Sequence, residues 1–164
     1  MNDYNDDDAL CFMLINLVSE VFPDLTIKGG AEEPFYKAPK KNTNAIIYFR
    51  NNYPRSLLHE LSHYCLAGKK RRQVDDFGYW YTECGRTIAE QKSFELAEAR
   101  PQGLEKAMCK VIGLKFAPSL DDFSGKPPTK DFLYHLDTAY HEMLTNPPPI
   151  ARKLLVALRS FAEG

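Results

Sequence analysis

Residues 59–63 read His-Glu-Leu-Ser-His. Four residues are slightly more than one helical turn, so a helix would place His59 and His63 on one face. Two neutral imidazoles so placed can hold one divalent metal ion, and Glu60 would lie beside a water or oxygen species at that ion. The spacing therefore predicts a metal-binding helix rather than a core helix with two structural histidines.

The sequence on both sides of this motif favours the helix. Residues 45–49 form a short branched and aromatic run that predicts a strand leading into it. Asn51 and Asn52 are candidate N-caps, Pro54 suits the first turn, and Gly68 suits the helix end. Apolar residues complete a broad buried face: Leu57, Leu58, Leu61, Tyr64 and Cys65.

The remaining pattern is mostly helical. Apolar periodicity predicts helices over residues 5–22, 87–100, 131–144 and 150–161. Pro101 is expected to kink or restart the second of these, which then continues to residue 112. A short strand over residues 25–28 would end at Gly29-Gly30, and residues 31–44 and 117–129 have loop compositions. We therefore predict the α+β fold class: a helix-rich single metal-binding domain over residues 1–164, with a small β-sheet packed on the metal helix in a zincin-like core.

Composition limits the classes of function. The chain has 164 residues, a hydrophobic share of 44%, a charged share of 26% and a net charge of -1. These values fit a globular protein and give no global field for nucleic acid or membrane binding. No apolar run reaches the roughly 20 residues of a membrane helix, and the first residues are acidic, unlike a signal peptide. Four cysteines lie far apart without a Cys-x-x-Cys pair, which indicates a cytoplasmic protein. Three of them lie in apolar helical patterns and are predicted to be buried thiols.

A metal site needs a third ligand besides the two histidines. Glu95 and Glu98 are the candidates, since they lie on adjoining parts of one predicted helix and no third histidine follows the motif closely. Glu98 is preferred because Gln102 follows it by four residues and can orient its carboxylate. His135 and His141 are six residues apart, on different faces of their helix, and are predicted to be surface or structural. Such a site suits Zn(II) hydrolysis or Fe(II) oxygen chemistry equally.

Two further stretches carry open interpretations. Residues 69–72, Lys-Lys-Arg-Arg, are the strongest charge run in the chain and predict either a solvated turn or a docking surface for an acidic partner. Residues 75–81, Asp-Asp-Phe-Gly-Tyr-Trp-Tyr, contain the only tryptophan. They suit a core strand or a pocket wall with polar tips, and spacing alone does not separate the two.

These residues together resemble the bacterial elongation factor P hydroxylases. The resemblance runs from residue 59 through the motif, Gly68 and the basic run to Tyr81, with a second block around Phe94, Glu98 and Gln102. It covers about residues 45–104, and the first and last parts of the chain resemble the family only loosely. Where the family pattern has Ile, Trp and Ile, this chain has Leu61, Tyr64 and Leu66, which keep similar shapes.

The resemblance implies a cytoplasmic Fe2+-dependent monooxygenase that uses O2 and hydroxylates the β-lysylated lysine of translation elongation factor P. It assigns His59, His63 and Glu98 as metal ligands and Glu60 as a base or proton handler outside the ligand set. Lys70, Arg71 and Arg72 would contact the acidic protein substrate, and Tyr79 and Trp80 would line the route of the modified lysine. Zn2+ can take the same site in purified protein, and no direct nucleic acid or membrane partner is implied.

Two other functions compete with this one. A zinc-dependent metallopeptidase of the His-Glu-x-x-His type would use Glu60 as the base that activates water. A non-enzymatic adaptor would bind a translation partner through residues 69–72 and would tolerate loss of His59. The metal in the cell, the electron donor and the oligomeric state do not follow from the sequence.

Overall fold

The computed structural model of the chain describes residues 3–79, 86–120 and 127–164. Its elements in chain order are α1 (Asp3–Val21), β1 (Leu25–Ala31), β2 (Phe35–Lys37), β3 (Ala45–Arg50), α2 (Pro54–Leu66), α3 (Gly68–Arg71), a 3-10 turn (Asp75–Gly78), α4 (Ile88–Ile112), α5 (Lys130–Thr145) and α6 (Pro149–Glu163). A small three-stranded sheet thus accompanies a largely helical chain, and the predicted helix-rich α+β class is confirmed.

The central strand of the sheet is β3. It pairs in parallel with β1 and antiparallel with β2. Ala45, Ile47 and Phe49 alternate along it and are buried, as expected for a strand with one face on a core. This inner face packs on α2, which follows directly in the chain. The sheet therefore supports the helix that carries the histidines.

Two predictions for the segment before β3 were wrong. The first strand does not end at Gly29-Gly30: it continues to Ala31 across a register shift after Lys28. The predicted surface loop over residues 31–44 contains a strand, β2. Its Tyr36 is only 1% exposed and packs on the core, so tertiary burial outweighed the polar, proline-rich composition around it.

The start of α2 differs in detail from the prediction. The N-cap residue is Tyr53, which makes no side-chain capping bond, so the predicted caps Asn51 and Asn52 were wrong. Asn51 instead takes a left-handed conformation in the turn between β3 and the helix. Pro54 occupies the first turn and α2 ends before Gly68, as predicted.

The longest helix is α4. Thr87 and Glu90 form the expected capping box at its start, and Gly113 closes it in a left-handed conformation. α4 continues as one element through Pro101, so the helix does not restart there. Pro101 is buried, and α4 packs along its length on α2, α5 and α6, which holds the two halves together despite the missing backbone N–H.

The predicted character of the cysteines is confirmed where the structure describes them. Cys11, Cys65 and Cys109 are buried free thiols within helices, and burial raises the pKa of each well above that of a free thiol. Cys84 lies outside the described residues. Among the described helices, none is both long enough and apolar enough to cross a membrane.

Candidate metal centre

Two polar stripes face each other across the contact between α2 and α4. On α2, Arg55, His59 and His63 recur every four residues, which places them on one face. On α4, Glu98, Gln102 and Glu105 recur at intervals of four and three residues and are all buried. The two helices run antiparallel at this contact, because His63 is paired with Glu98 and Arg55, earlier on α2, is paired with Glu105, later on α4. Their meeting point is the candidate site.

One end of this contact brings together three metal-binding side chains. His63 Nε2 lies 3.1 Å from Glu98 Oε1, and His59 Nε2 lies 3.6 Å from Glu98 Oε2. A set of ligand atoms from these three residues, one from each, lies within 4.8 Å of one another. Two imidazole nitrogens with a carboxylate suit Zn(II), Fe(II) and similar ions, and do not suit Ca2+, which takes oxygen ligands. The side chains present therefore fit a transition-metal ion.

The choice between the two candidate carboxylates follows from the same geometry. Glu98 is 6% exposed and faces both imidazoles. Glu95 is partly exposed, and its carboxylate instead accepts a hydrogen bond of 3.0 Å from the hydroxyl of Thr129 ahead of α5. Glu98 is thus the acidic member of the cluster.

The predicted contact between Gln102 and Glu98 is confirmed. The Gln102 side-chain amide donates to Glu98 Oε2 at 3.1 Å and also to the carbonyl of Ser119. Its oxygen accepts from the Ser119 backbone N–H at 3.0 Å. Because Gln102 is clamped from two sides, it holds the carboxylate of Glu98 in one orientation.

Glu105 and Arg55 were not predicted from the sequence. His59 Nδ1 lies 2.6 Å from Glu105 Oε1, and Arg55 Nη2 lies 3.2 Å from Glu105 Oε2. The available signal was periodicity: Glu105 follows Glu98 by seven residues, and Arg55 precedes His59 by four, so each shares the face of a predicted ligand.

Electrostatics at the cluster favour a cation. Burial would lower the pKa of His59, but the hydrogen bond to Glu105 and the nearby carboxylates outweigh it and raise that pKa to about 10. Burial would likewise raise the pKa of Glu98, but the charges and hydrogen bonds of the two histidines and Gln102 lower it to about 2. Burial raises the pKa of Glu60, the acidic residue between the two histidines. Ionised carboxylates around paired imidazoles attract positive charge, whether a proton or a metal ion.

An aromatic wall closes one side of His63. The ring of Phe77 lies parallel to His63 at 6.2 Å, and Tyr79 meets the same imidazole edge-on at 5.6 Å. Phe77 also stacks at 4.1 Å on Tyr36 of β2. Asp76 and Phe77 both have positive φ, a conformation that non-glycine residues rarely adopt, so side-chain contacts must hold this turn in place.

Two carboxylates tie this wall to the sheet. The Asp76 carboxylate accepts a hydrogen bond of 2.9 Å from the backbone N–H of Tyr36. The Asp75 carboxylate accepts one of 2.9 Å from the backbone N–H of Ala38. Burial raises the pKa of Asp76. Of the two structures considered for residues 75–81, the described part is a turn rather than a strand, and its one buried side chain, Phe77, lies beside His63. Trp80 and Tyr81 lie outside the described residues.

The remaining candidate residues are the basic run, residues 69–72, and the two histidines of α5. Lys69, Lys70 and Arg71 are exposed, and Arg72 is partly buried. The Arg71 guanidinium lies 4.6 Å from the Tyr79 ring centroid, and that of Arg72 lies 5.6 Å from the Tyr64 ring centroid. Residues 69–71 of the basic run are helical, and Arg72 lies in the turn that follows. The two arginines contact aromatic residues near the site. His135 and His141 are exposed on α5, as predicted.

Comparison with known proteins identifies the family. A sequence profile of the elongation factor P hydroxylases matches residues 18–163. This chain belongs to that family. It is also similar to the elongation factor P lysine hydroxylase of Haemophilus influenzae, with 37% identity over 142 residues that make up 84% of this chain and 80% of that protein. The family match extends from residue 18 to residue 163, well beyond residues 45–104.

Proposed function

We propose that this protein is an Fe2+-dependent monooxygenase that hydroxylates the β-lysylated lysine of elongation factor P. The observation that carries the proposal is the convergence of His59, His63 and Glu98 in a chain of this family. Two histidines and one carboxylate with open positions are the ligand set of non-haem Fe(II) oxygenases, in which the ion supplies the chemistry of O2 activation. The lysine hydroxylase named among its relatives supports the same substrate and reaction.

The proposal gives each side chain a role. His59, His63 and Glu98 would hold the ion, while Gln102 fixes the carboxylate of Glu98. Glu60 would move protons at the site, because it adjoins both ligand histidines and burial raises its pKa. Tyr79 and Trp80 would line the route of the modified lysine, Tyr79 from its position against His63. We assign all of this to one domain over residues 1–164, working in the cytoplasm where translation takes place.

The fold adds support from the arrangement around α2. A strand runs directly into the histidine helix, and α4 supplies the carboxylate from the opposite side. We propose that this forms a zincin-like core adapted to oxygen chemistry. The zinc metallopeptidase function is not favoured by the family match, although Zn2+ can occupy such a ligand set in purified protein.

Intact-mass measurement of elongation factor P tests the function. In cells lacking this protein, we expect β-lysylated elongation factor P to lose the mass of one oxygen atom. Expression of the wild-type chain should restore that mass, and expression of the His59→Ala variant should not. An unchanged mass in the deletion strain would reject the proposed function. Full restoration of the mass by the His59→Ala variant would reject the metal centre.

The exposed lysines of α3 provide a prediction about docking. We expect Lys69→Glu together with Lys70→Glu to raise KM for elongation factor P about 10-fold with little change in kcat, because attraction to an acidic partner is replaced by repulsion. Lys110→Glu is a matched control on α4, roughly 18 Å along the helix from Glu98. The difference should shrink as salt rises. Equal KM values for the double variant and the control would contradict a docking role.

A further inference from the structure

We propose that Glu105, held by Arg55, is a positioning residue that fixes the imidazole of His59 for the metal. The inference rests on the metal centre of the proposed function and assigns two residues outside its ligand set. Glu105 uses both carboxylate oxygens: Oε1 lies 2.6 Å from His59 Nδ1, and Oε2 lies 3.2 Å from Arg55 Nη2.

The contact with Glu105 decides which nitrogen of His59 can bind an ion. An ionised carboxylate can only accept hydrogen bonds, so the hydrogen of this contact belongs to His59 Nδ1. In a neutral imidazole the lone pair is then on Nε2, the atom that faces Glu98 at 3.6 Å. Metal-binding histidines commonly donate their other N–H to a carboxylate in this way, which fixes the ring and makes the ligand nitrogen more basic.

Arg55 is the charged partner of the buried Glu105 carboxylate. The Glu105 side chain is 4% exposed, and a buried carboxylate is costly unless paired. Arg55 supplies the opposite charge and is itself fixed, because it donates to the Ala117 carbonyl at 2.6 Å and lies over the Phe116 ring. Glu105 is therefore held between a ligand and an anchored cation.

The same segment after α4 secures a second ligand. Ser119 binds Gln102, which orients Glu98, while Ala117 binds Arg55, which holds Glu105. His63 differs from these ligands, since its buried Nδ1 has no hydrogen-bond partner among residues 3–79, 86–120 and 127–164. Loss of Glu105 should thus weaken the hold on His59 in particular.

Metal affinity of the purified full-length chain tests this role. We expect Co2+ affinity, measured by anaerobic calorimetry, to fall about 10- to 100-fold in Glu105→Ala and less in Glu105→Gln, which keeps an acceptor for His59. Glu95→Gln is the matched control on the same helix and should bind Co2+ like the wild type. Circular dichroism of each metal-free variant reports folding separately from metal binding.

A second measurement uses only the wild-type chain and does not depend on a variant folding. In Zn2+-loaded, 15N-histidine-labelled protein, we expect His59 Nδ1 to keep its hydrogen and Nε2 to show the shift of metal binding. A metal-bound Nδ1, or wild-type Co2+ affinity in a folded Glu105→Ala variant, would overturn this inference alone. If the wild-type chain binds none of Co2+, Zn2+ and Fe2+, the proposed metal centre is rejected together with the role of Glu105.

Discussion

Replacing His63 with alanine is expected to lower the affinity for Fe2+ or Co2+ by more than about 100-fold. Loss of a residue that only hydrogen-bonds to a ligand costs up to about 100-fold, and loss of a ligand itself should cost more. His63 Nε2 is the imidazole nitrogen closest to the carboxylate of Glu98, at 3.1 Å. Without it, one imidazole and one carboxylate remain, which is too few ligands to hold a transition-metal ion. Hydroxylation of elongation factor P should be lost in parallel.

The matched control for this variant is His135→Ala. His135 is exposed on α5, so its loss removes an imidazole from the chain without touching the cluster. Calorimetric metal titration and product mass should both match the wild type in this control. Retained hydroxylation of elongation factor P in cells that express a folded His63→Ala variant would contradict an enzymatic metal site at α2 and would favour the adaptor function.

Replacing Gly103 with alanine is expected to destabilise the fold by about 2 kcal/mol. An added Cβ would lie 2.6 Å from Ala139 Cβ and 2.9 Å from the Tyr140 backbone nitrogen, so α4 and α5 would have to move apart. Such overpacking costs about 1–3 kcal/mol or more, while alanine in place of helical glycine returns about 1 kcal/mol. Because backbone atoms take part in the clash, we expect the larger cost. Urea unfolding should show a lower midpoint with an unchanged m-value.

A double-mutant cycle separates this clash from a general effect on α4. Ala139→Gly removes the nearest atom, so the pair Gly103→Ala with Ala139→Gly should be less destabilised than the sum of the single variants. Partial rescue is expected, since the contact with the Tyr140 backbone remains. Additive free energies of unfolding, within about 0.5 kcal/mol, would contradict close packing of these helices.

The site was predictable wherever it depended on a single helix. The positions of His59 and His63 on one face follow from helical geometry alone. The same reasoning placed Gln102 one turn from Glu98, and the hydrogen bond between them is present. It preferred Glu98 to Glu95 as the acidic ligand, but both are neighbours on α4, and only the packing of α4 against α2 separates them.

Segments with weak local patterns were predicted less well. Tyr36 lies among polar and proline residues, yet it is almost fully buried between the sheet and Phe77. The turn at Asp76 and Phe77 uses left-handed conformations, which are rare for a phenylalanine. Hydrogen bonds from the backbone of Tyr36 and Ala38 to Asp76 and Asp75 hold it in place. Such contacts join residues far apart in the chain and leave no periodic trace in it.

The sequence by itself determined the helix that carries the histidines, the helix-rich α+β class and the resemblance to the elongation factor P hydroxylases. Each follows from residues close together in the chain, where helical periodicity and motif spacing act directly. Only the tertiary structure decided that Glu98 joins the histidines, that Glu105 and Arg55 hold His59, and that Phe77 walls the site. Periodicity fixes which residues share a face, but the packing of one helix on another decides which faces meet.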